Sequence, residues 1–314
     1  MKKKAIIIGI KGLKLNRIEK EILSKEHPWG VILFERNIKN FNQTKKLISS
    51  IRTYTKDVKF PILIDEEGNR VTRIKNLVNN VIPQKLFGDI FLKNKEFSKK
   101  ILIQYLKSVI KNLKDLGFNI NTVPVLDILY KKSHNIIGDR SFSDRSKIIN
   151  ELGNLYLDTY KKNRFGTIMK HIPGHGLSLT DSHKRLPIIK KKLSYLIKYD
   201  FSCFKKKKSF FAMTGHLLFS EIDPNNCVTH SKKIIKKIIR EKIGFKGILI
   251  SDDISMKALK FDPLQNGIKA LKSGCNLVLY CEPSPLKSLQ LVKKLPYVDK
   301  FTQKKTSQFY KFLR

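Results

Sequence analysis

Between positions 170 and 183 the sequence places an ammonium (Lys170), three imidazoles (His171, His175, His183) and a carboxylate (Asp181). Pro173 removes a backbone donor and fixes φ, while Gly174 and Gly176 open φ values that other residues avoid, so this stretch cannot be a helix. His171 and His175 stand four apart, the separation that sets two metal ligands on one helical face. With Pro173 and Gly174 between them that face does not exist. No HExxH and no CxxC occurs in the chain, so the residues call for neither a metal nor a cofactor. A loop histidine most often caps backbone groups, and this remains the plain reading of His175. Asp181 and His183 are two apart. In a loop they can meet, and a carboxylate then orients the imidazole for general acid/base work.

A second constellation lies at 247–256, Gly-Ile-Leu-Ile-Ser-Asp-Asp-Ile-Ser-Met. Its apolar start suits a strand buried on both faces, as in parallel sheets, and it runs straight into two adjacent carboxylates. Two idle acids there would be costly. One of them could cap the following helix. Sequence chemistry weighs Asp252 and Asp253 alike; the expectation carried forward gives the cap to Asp253 and the reactive role to Asp252.

These groups need elements to position them. Apolar, β-rich runs recur near 4–10, 30–34, 60–64, 119–125, 166–169, 210–214, 247–250 and 276–280, with amphipathic segments such as 97–116, 144–163, 232–243 and 264–273 between them. The run at 166–169 reads as a short strand that ends where the polar cluster begins. Alternation of this kind predicts an α/β fold, a single-domain (β/α)₈ TIM-type barrel over 1–314 with no second domain. An open doubly wound sheet would need a phosphate-binding fingerprint after the first strand, and Gly9-Ile10-Lys11-Gly12 is too weak. Polar residues follow most strands: Glu35-Arg36-Asn37, Asp65-Glu66-Glu67, Asp127, Lys170-His171, His216, Asp252 and Glu282. Barrel enzymes keep their chemistry on that C-terminal rim. The pattern is an enzyme's.

Composition narrows the setting. The 314 residues, 41% hydrophobic and 10% aromatic, suffice for a large core, and no run approaches the ~20 apolar residues of a membrane span. The opening Met-Lys-Lys-Lys-Ala-Ile-Ile-Ile mimics a secretory signal, but Lys11 and Lys14 interrupt it early, and it reads better as a strand. Cys203, Cys227, Cys275 and Cys281 show no framework spacing; Cys275 and Cys281 bracket a strand and read as buried thiols of a reducing compartment, the cytoplasm. The net charge of +38 comes from 64 Lys and Arg against 26 Asp and Glu. The lysines are spread along the chain, densest at 190–192 and 205–208, and no nucleic-acid motif accompanies them. That pattern predicts weak polyanion attraction without specific nucleic-acid binding, and favours anionic small substrates.

At this point several segments fall into one pattern. Lys170-His171-x-Pro173-Gly174-x-Gly176 with Asp181-Ser182-His183 and Leu186-Pro187 resembles the signature of the NagZ-type β-N-acetylglucosaminidases of glycoside hydrolase family three. Ile32-Leu33-Phe34-x-Arg36-Asn37, Ile64-Asp65-x-Glu67-Gly68-x-Arg70-Val71-x-Arg73, Pro124-Val125-Leu126-Asp127, Gly138-x-Arg140-Ser141-Phe142 and Ser251-Asp252-Asp253-x-Ser255-Met256 agree in order and spacing. The likeness spans nearly the whole chain. Family β-glucosidases lack the histidine loop and usually carry a second domain. One departure is Asn69, where family members commonly have glycine; Asn tolerates the left-handed region, so the turn survives at small cost. The stretch after Cys281 is short and Lys-rich, leaving the final helices open.

The resemblance implies a retaining β-N-acetylhexosaminidase. Asp252 is then the nucleophile, His183 the general acid/base that most retaining glycosidases replace with a second carboxylate, and Asp181 its partner. An imidazole of ordinary pKa ~6.5 can protonate the leaving oxygen and later deprotonate water near neutrality. The Gly-flanked loop would deliver His183 once substrate is bound. Substrate-binding positions fall on Asp65, Arg73, Arg140, Lys170 and His171, with no metal and no cofactor. The implied substrate is a muropeptide, a peptidoglycan fragment with non-reducing N-acetylglucosamine, hydrolysed by a monomeric enzyme of cytoplasmic cell-wall recycling. The competing readings are a β-glucosidase-like hydrolase, which lacks the histidine loop, and a phosphate-binding barrel, which Asp252 and Asp253 would repel. A basic nucleic-acid-binding protein is the non-enzyme alternative.

Overall fold

The computed structural model describes residues 2–132 and 134–313. Eight parallel strands close into a barrel in sequence order: Lys4–Gly9, Pro28–Leu33, Ile62–Ile64, Ile120–Asn121, Gly166–Ile172, Phe211–Thr214, Ile248–Asp253 and Leu277–Tyr280. The seam closes in register, Ile6 beside Val278 and Ile8 beside Tyr280. The barrel expected from the alternating pattern is the one that forms.

Burial on both strand faces explains the continuous apolar runs. Alternate residues (Ile7, Leu63, Ile120, Ile168, Met213, Ile250, Leu279) form one cluster, and their neighbours (Ile6, Ile8, Val31, Ile62, Ile64, Leu249) join the larger core shared with the helices. Period-two alternation with both faces apolar is what a helix-wrapped parallel barrel requires.

Helices fill the connections. Lys95–Leu116 starts where the Asn94 side chain accepts from the Phe97 amide, and ends at Gly117 with φ 103°. Pro263–Ser273 begins with Asp262 as cap and proline in its first turn, and stops at Gly274 with φ 118°. Such ends are what Asn, Asp-Pro and Gly are suited to make. The segment expected as a helix near 232–243 is wound as a π-helix over Ile234–Lys242. The Lys-rich tail forms two helices, Pro285–Lys294 and Lys300–Phe312. The second closes the barrel floor: Phe309 meets Phe211 edge-on at 4.9 Å, Phe211 meets Trp29 at 5.5 Å, and Trp29 Nε1 donates to Thr306 Oγ1 at 2.9 Å.

Two strands differ from expectation where the site begins. The fourth is only two residues long: the Thr122 amide still reaches the Ile64 carbonyl, but Pro124 has no amide to donate. The fifth runs on to Ile172, so Lys170 and His171 stand on the strand itself and not in the loop after it. Val125 bridges to Lys170. A small separate sheet pairs Ile188–Ile189 with Leu218–Phe219 and fastens the chain where it leaves the histidine loop. Among the described residues no helix is long and apolar enough to cross a membrane.

Candidate active site

A cavity of about 330 Å³ opens at the C-terminal ends of the strands. Asp65 reaches it from the third strand, Lys170 and His171 from the fifth, Met213 from the sixth, Asp252 and Asp253 from the seventh and Leu279 from the eighth. Arg73, Arg140 and His183 enter from loops. Seven of the residues singled out in sequence thus share one pocket, and the eighth, Asp181, stands directly behind His183.

One wall is a buried ion network. Lys170 Nζ lies 3.0 Å from Asp65 Oδ1, 2.6 Å from Glu67 Oε1 and 2.9 Å from Thr122 Oγ1. Thr122 also donates to Asp65. Arg140 grips Glu67 with two bonds of 2.7 and 2.9 Å, and Arg73 approaches Asp65 at 3.4 Å. Burial by itself would raise both carboxyls, but Lys170 and Arg73 hold Asp65 well below the ordinary range, and Arg140 with Lys170 holds Glu67 at about 2. Burial would in turn lower the cations; the carboxylates hold Lys170 and Arg140 above their usual values. Charges this deep are tolerated because each is paired and hydrogen-bonded. Among the three acids of 65–67, Glu66 turns away: it accepts from Thr72 Oγ1, the Arg73 amide and Asn80 Nδ2, shaping the loop behind the pocket. In that loop Gly68 has φ 95° and Asn69 φ 50°, and Asn69 Nδ2 donates to Asp139. Asn69 does adopt the left-handed backbone.

The seventh strand supplies the other wall. Burial would raise the Asp252 carboxyl, but the nearby His216 and His171 rings and the Asp253 amide, which donates to Oδ1 at 2.8 Å, hold it below the usual range. Asp253 is shifted oppositely, raised by burial. It accepts from the Ser255 amide and hydroxyl and from the Cys281 amide. Asp253 is therefore not the cap of the next helix, as expected, but the organiser of a turn; the cap is Asp262, nine residues on. His216 spans Thr229 Oγ1 and the Asp253 carbonyl, which fixes the ring beside Asp252. Cys275 is buried, whereas Cys281 stands half-buried in the pocket wall and not in the core.

Asp127, a lone acid in the sequence reading, turns out to be central. Fully buried, it takes His171 Nδ1 at 2.7 Å and the amides of His171 and His175. Burial would raise it and the His171 ring lowers it. His175 is buried too, and desolvation, reinforced by His171, lowers it to about 4. Its ring meets Ser182 Oγ at 3.2 Å. His183 is different in kind: its side chain is 62% exposed, with Nδ1 and the backbone amide both 2.8 Å from Asp181 Oδ1. With Nδ1 so engaged, Nε2 is left for the pocket. Burial would raise Asp181 and the bonds from His183 lower it.

Among the described residues no group of three or more His, Cys, Asp or Glu is placed to hold a metal ion. An ionised carboxylate, a carboxylate-held imidazole and a wall of hydrogen-bonding charges suit the cleavage of a polyhydroxylated substrate. The model of the glycosyl hydrolase family 3 N-terminal domain matches residues 2–306. This chain belongs to glycosyl hydrolase family 3. It is a glycoside hydrolase, similar to the β-hexosaminidase of Haemophilus influenzae, 31% identical over 308 residues that cover 93% of this chain and 85% of the relative. The β-hexosaminidase of Methylobacillus flagellatus is 29% identical over 299 residues, covering 93% and 84%. Among solved structures, NagZ from Neisseria gonorrhoeae in complex with N-trifluoroacetyl-D-glucosamine aligns with a TM-score of 0.87 at 25% identity, over 100% of this chain and 91% of that one. The NagZ-type resemblance read from the sequence is upheld.

Proposed function

We propose that this glycoside hydrolase is a retaining β-N-acetylhexosaminidase that releases non-reducing N-acetylglucosamine from muropeptides in cytoplasmic cell-wall recycling. The observation that carries the reading is one pocket holding two unlike groups: a half-buried carboxylate kept ionised, Asp252, and an exposed imidazole oriented by a carboxylate, His183. Asp252 Oδ1 is engaged by the Asp253 amide, so Oδ2 attacks the anomeric carbon. His183 Nε2 gives its proton to the departing oxygen, and the sugar is held as an ester on Asp252. The same imidazole then takes a proton from water, which displaces Asp252 and restores the starting configuration.

Asp65, Arg73, Arg140, Lys170 and His171 bind the sugar in this reading. Asp65 accepts from hydroxyls, and the cations and His171 donate. Because Asp252 is the nucleophile, the N-acetyl group serves recognition. The two β-hexosaminidase relatives and the complexed NagZ support that sugar, and the surplus of lysines suits the carboxylates of a muropeptide.

Hydrolysis of an aryl N-acetyl-β-glucosaminide is expected, with far less of the matching glucoside. A 2-fluoro sugar inactivator should label Asp252. Labelling of Asp253, or preference for the glucoside, would overturn the assignment.

A further inference from the structure

The acid/base loop is attached to the barrel at one unexpected place. Between positions 179 and 186 every residue is exposed or half-buried except Ser182, which is 4% exposed. A small polar side chain buried in an exposed loop, between the two residues that carry the acid/base chemistry, needs a partner to offset its lost hydration. That partner is His175 Nε2 at 3.2 Å. Among the described residues, all other hydrogen bonds of residues 181–183 stay within the loop: His183 to Asp181, and the Lys184 and Arg185 amides to the Asp181 carbonyl.

The other end of the contact is fixed. His175 is 2% exposed, its amide donates to Asp127 Oδ1 at 2.7 Å, and its carbonyl accepts from the Ser178 amide. Among the described residues its buried Nδ1 has no hydrogen-bond partner, so the ring's bonding falls to Nε2. A polar ring held so rigidly, with one nitrogen unpaired, is poorly placed for packing alone and well placed to hold Ser182.

We propose that the His175–Ser182 contact is the latch that seats the acid/base loop at the pocket, making His175 and Ser182 positioning residues for His183. The inference rests on His183 being the acid/base. Asp127 thereby governs both sides of the site: it orients the His171 ring directly, and through His175 it locates the loop that carries His183. Because burial keeps His175 neutral through the working range, the latch does not open with pH.

The test compares Ser182→Ala, His175→Phe, His175→Gln and His183→Ala on N-acetyl-β-glucosaminides with a poor (alkyl) and an excellent (dinitrophenyl) leaving group. Single-turnover glycosylation, steady-state turnover and amide hydrogen exchange over 177–184 are measured for each. Loss of one neutral hydrogen bond corresponds to about a fivefold to tenfold effect. Ser182→Ala and His175→Phe should slow the alkyl substrate by about that much and speed exchange across the loop, while dinitrophenyl glycosylation stays within about twofold. His175→Gln, whose amide reaches toward the position of Nε2, should recover most of the loss. Equal slowing of both substrates would mark the contact as packing only, and wild-type behaviour on both would show that it does not seat the loop; either overturns the latch. If His183→Ala itself shows no dependence on leaving group, the acid/base reading falls and the latch with it. If His183→Ala shows that dependence and Ser182→Ala does not, the latch falls alone.

Discussion

The two sides of the pocket are built on opposite principles. On one side Lys170 and Glu67 are buried and Asp65 and Arg140 half-buried, all mutually bonded and set on strand ends or packed against them. On the other, His183 projects into solvent from a loop whose 181–183 turn is tied to the barrel, among the described residues, by the Ser182 hydrogen bond to His175. The first arrangement suits recognition: its donors and acceptors are placed before the sugar arrives, so little ordering is left for binding to supply. The second suits a group that must serve two steps, first facing the leaving oxygen and then a water. In the proposed function a fixed cradle and an exposed proton carrier divide the work.

The largest effect should come from the proposed nucleophile that lies between them. Asp252→Asn keeps shape and removes the reacting oxygen, so turnover should fall by about 10⁴ with the melting temperature little changed. A variant retaining substantial turnover would remove Asp252 from the chemistry. His183→Ala should cost roughly 10²–10⁴ in turnover of a poor leaving group, again without loss of stability, since the side chain is exposed. Thermal melts and single-turnover rates on both leaving-group classes check this.

The cradle should behave in the reverse manner. Lys170→Met leaves Asp65 and Glu67 buried without their shared cation, a change of about 3–5 kcal/mol that should lower the melting temperature by many degrees. Linkage gives the sign for the native protein. Glu67 is held at about 2, below its unfolded value, so its contribution is complete above the ordinary carboxylate pKa and is lost as pH falls from there toward 2. Acid unfolding followed by circular dichroism should set in at higher pH in the Lys170 variant. Equal acid sensitivity would show that the network adds nothing to stability.

Asp200 offers a smaller test behind the histidine loop. It is buried against Gly174, accepts from Tyr130 at 2.9 Å, and burial raises it to about 7. Its folded value is above the unfolded one, so its contribution is whole at acid pH and declines as pH rises to about 7. Asp200→Asn should therefore gain in relative melting temperature between pH 4 and pH 7, and a flat difference would contradict the shift. The smallest effect concerns the surface charge: hydrolysis of an uncharged aryl glycoside should barely change between about 50 and 200 mM salt, whereas weak polyanion binding should collapse.

The barrel was legible because a parallel strand covered on both faces leaves an uninterrupted apolar run, and eight such runs could be counted. Strand ends were less so. Lys170 and His171 look like loop residues beside a short apolar run, yet the ladder to Met213 and Thr214 carries the fifth strand past them. Asp127 gave little signal because its partners lie 44 and 48 positions away. Glu67 stood within the motif, but nothing in Asp-Glu-Glu tells which acid turns outward; the loop amides that capture Glu66 decide it. The misplaced cap had a readable alternative, since Asp262 precedes a proline, the pairing that opens a helix.

The aromatic floor has a consequence for how the chain must be made. Phe309 fills the space beneath Phe211, and the first strand gains its second neighbour only from residues 277–280. A chain emerging from the ribosome in order therefore carries an unsealed barrel, with the inner faces of its strands open to water, until residues 300–312 have been translated. On the proposed mechanism activity waits on residues 300–312, although they hold none of the proposed catalytic groups.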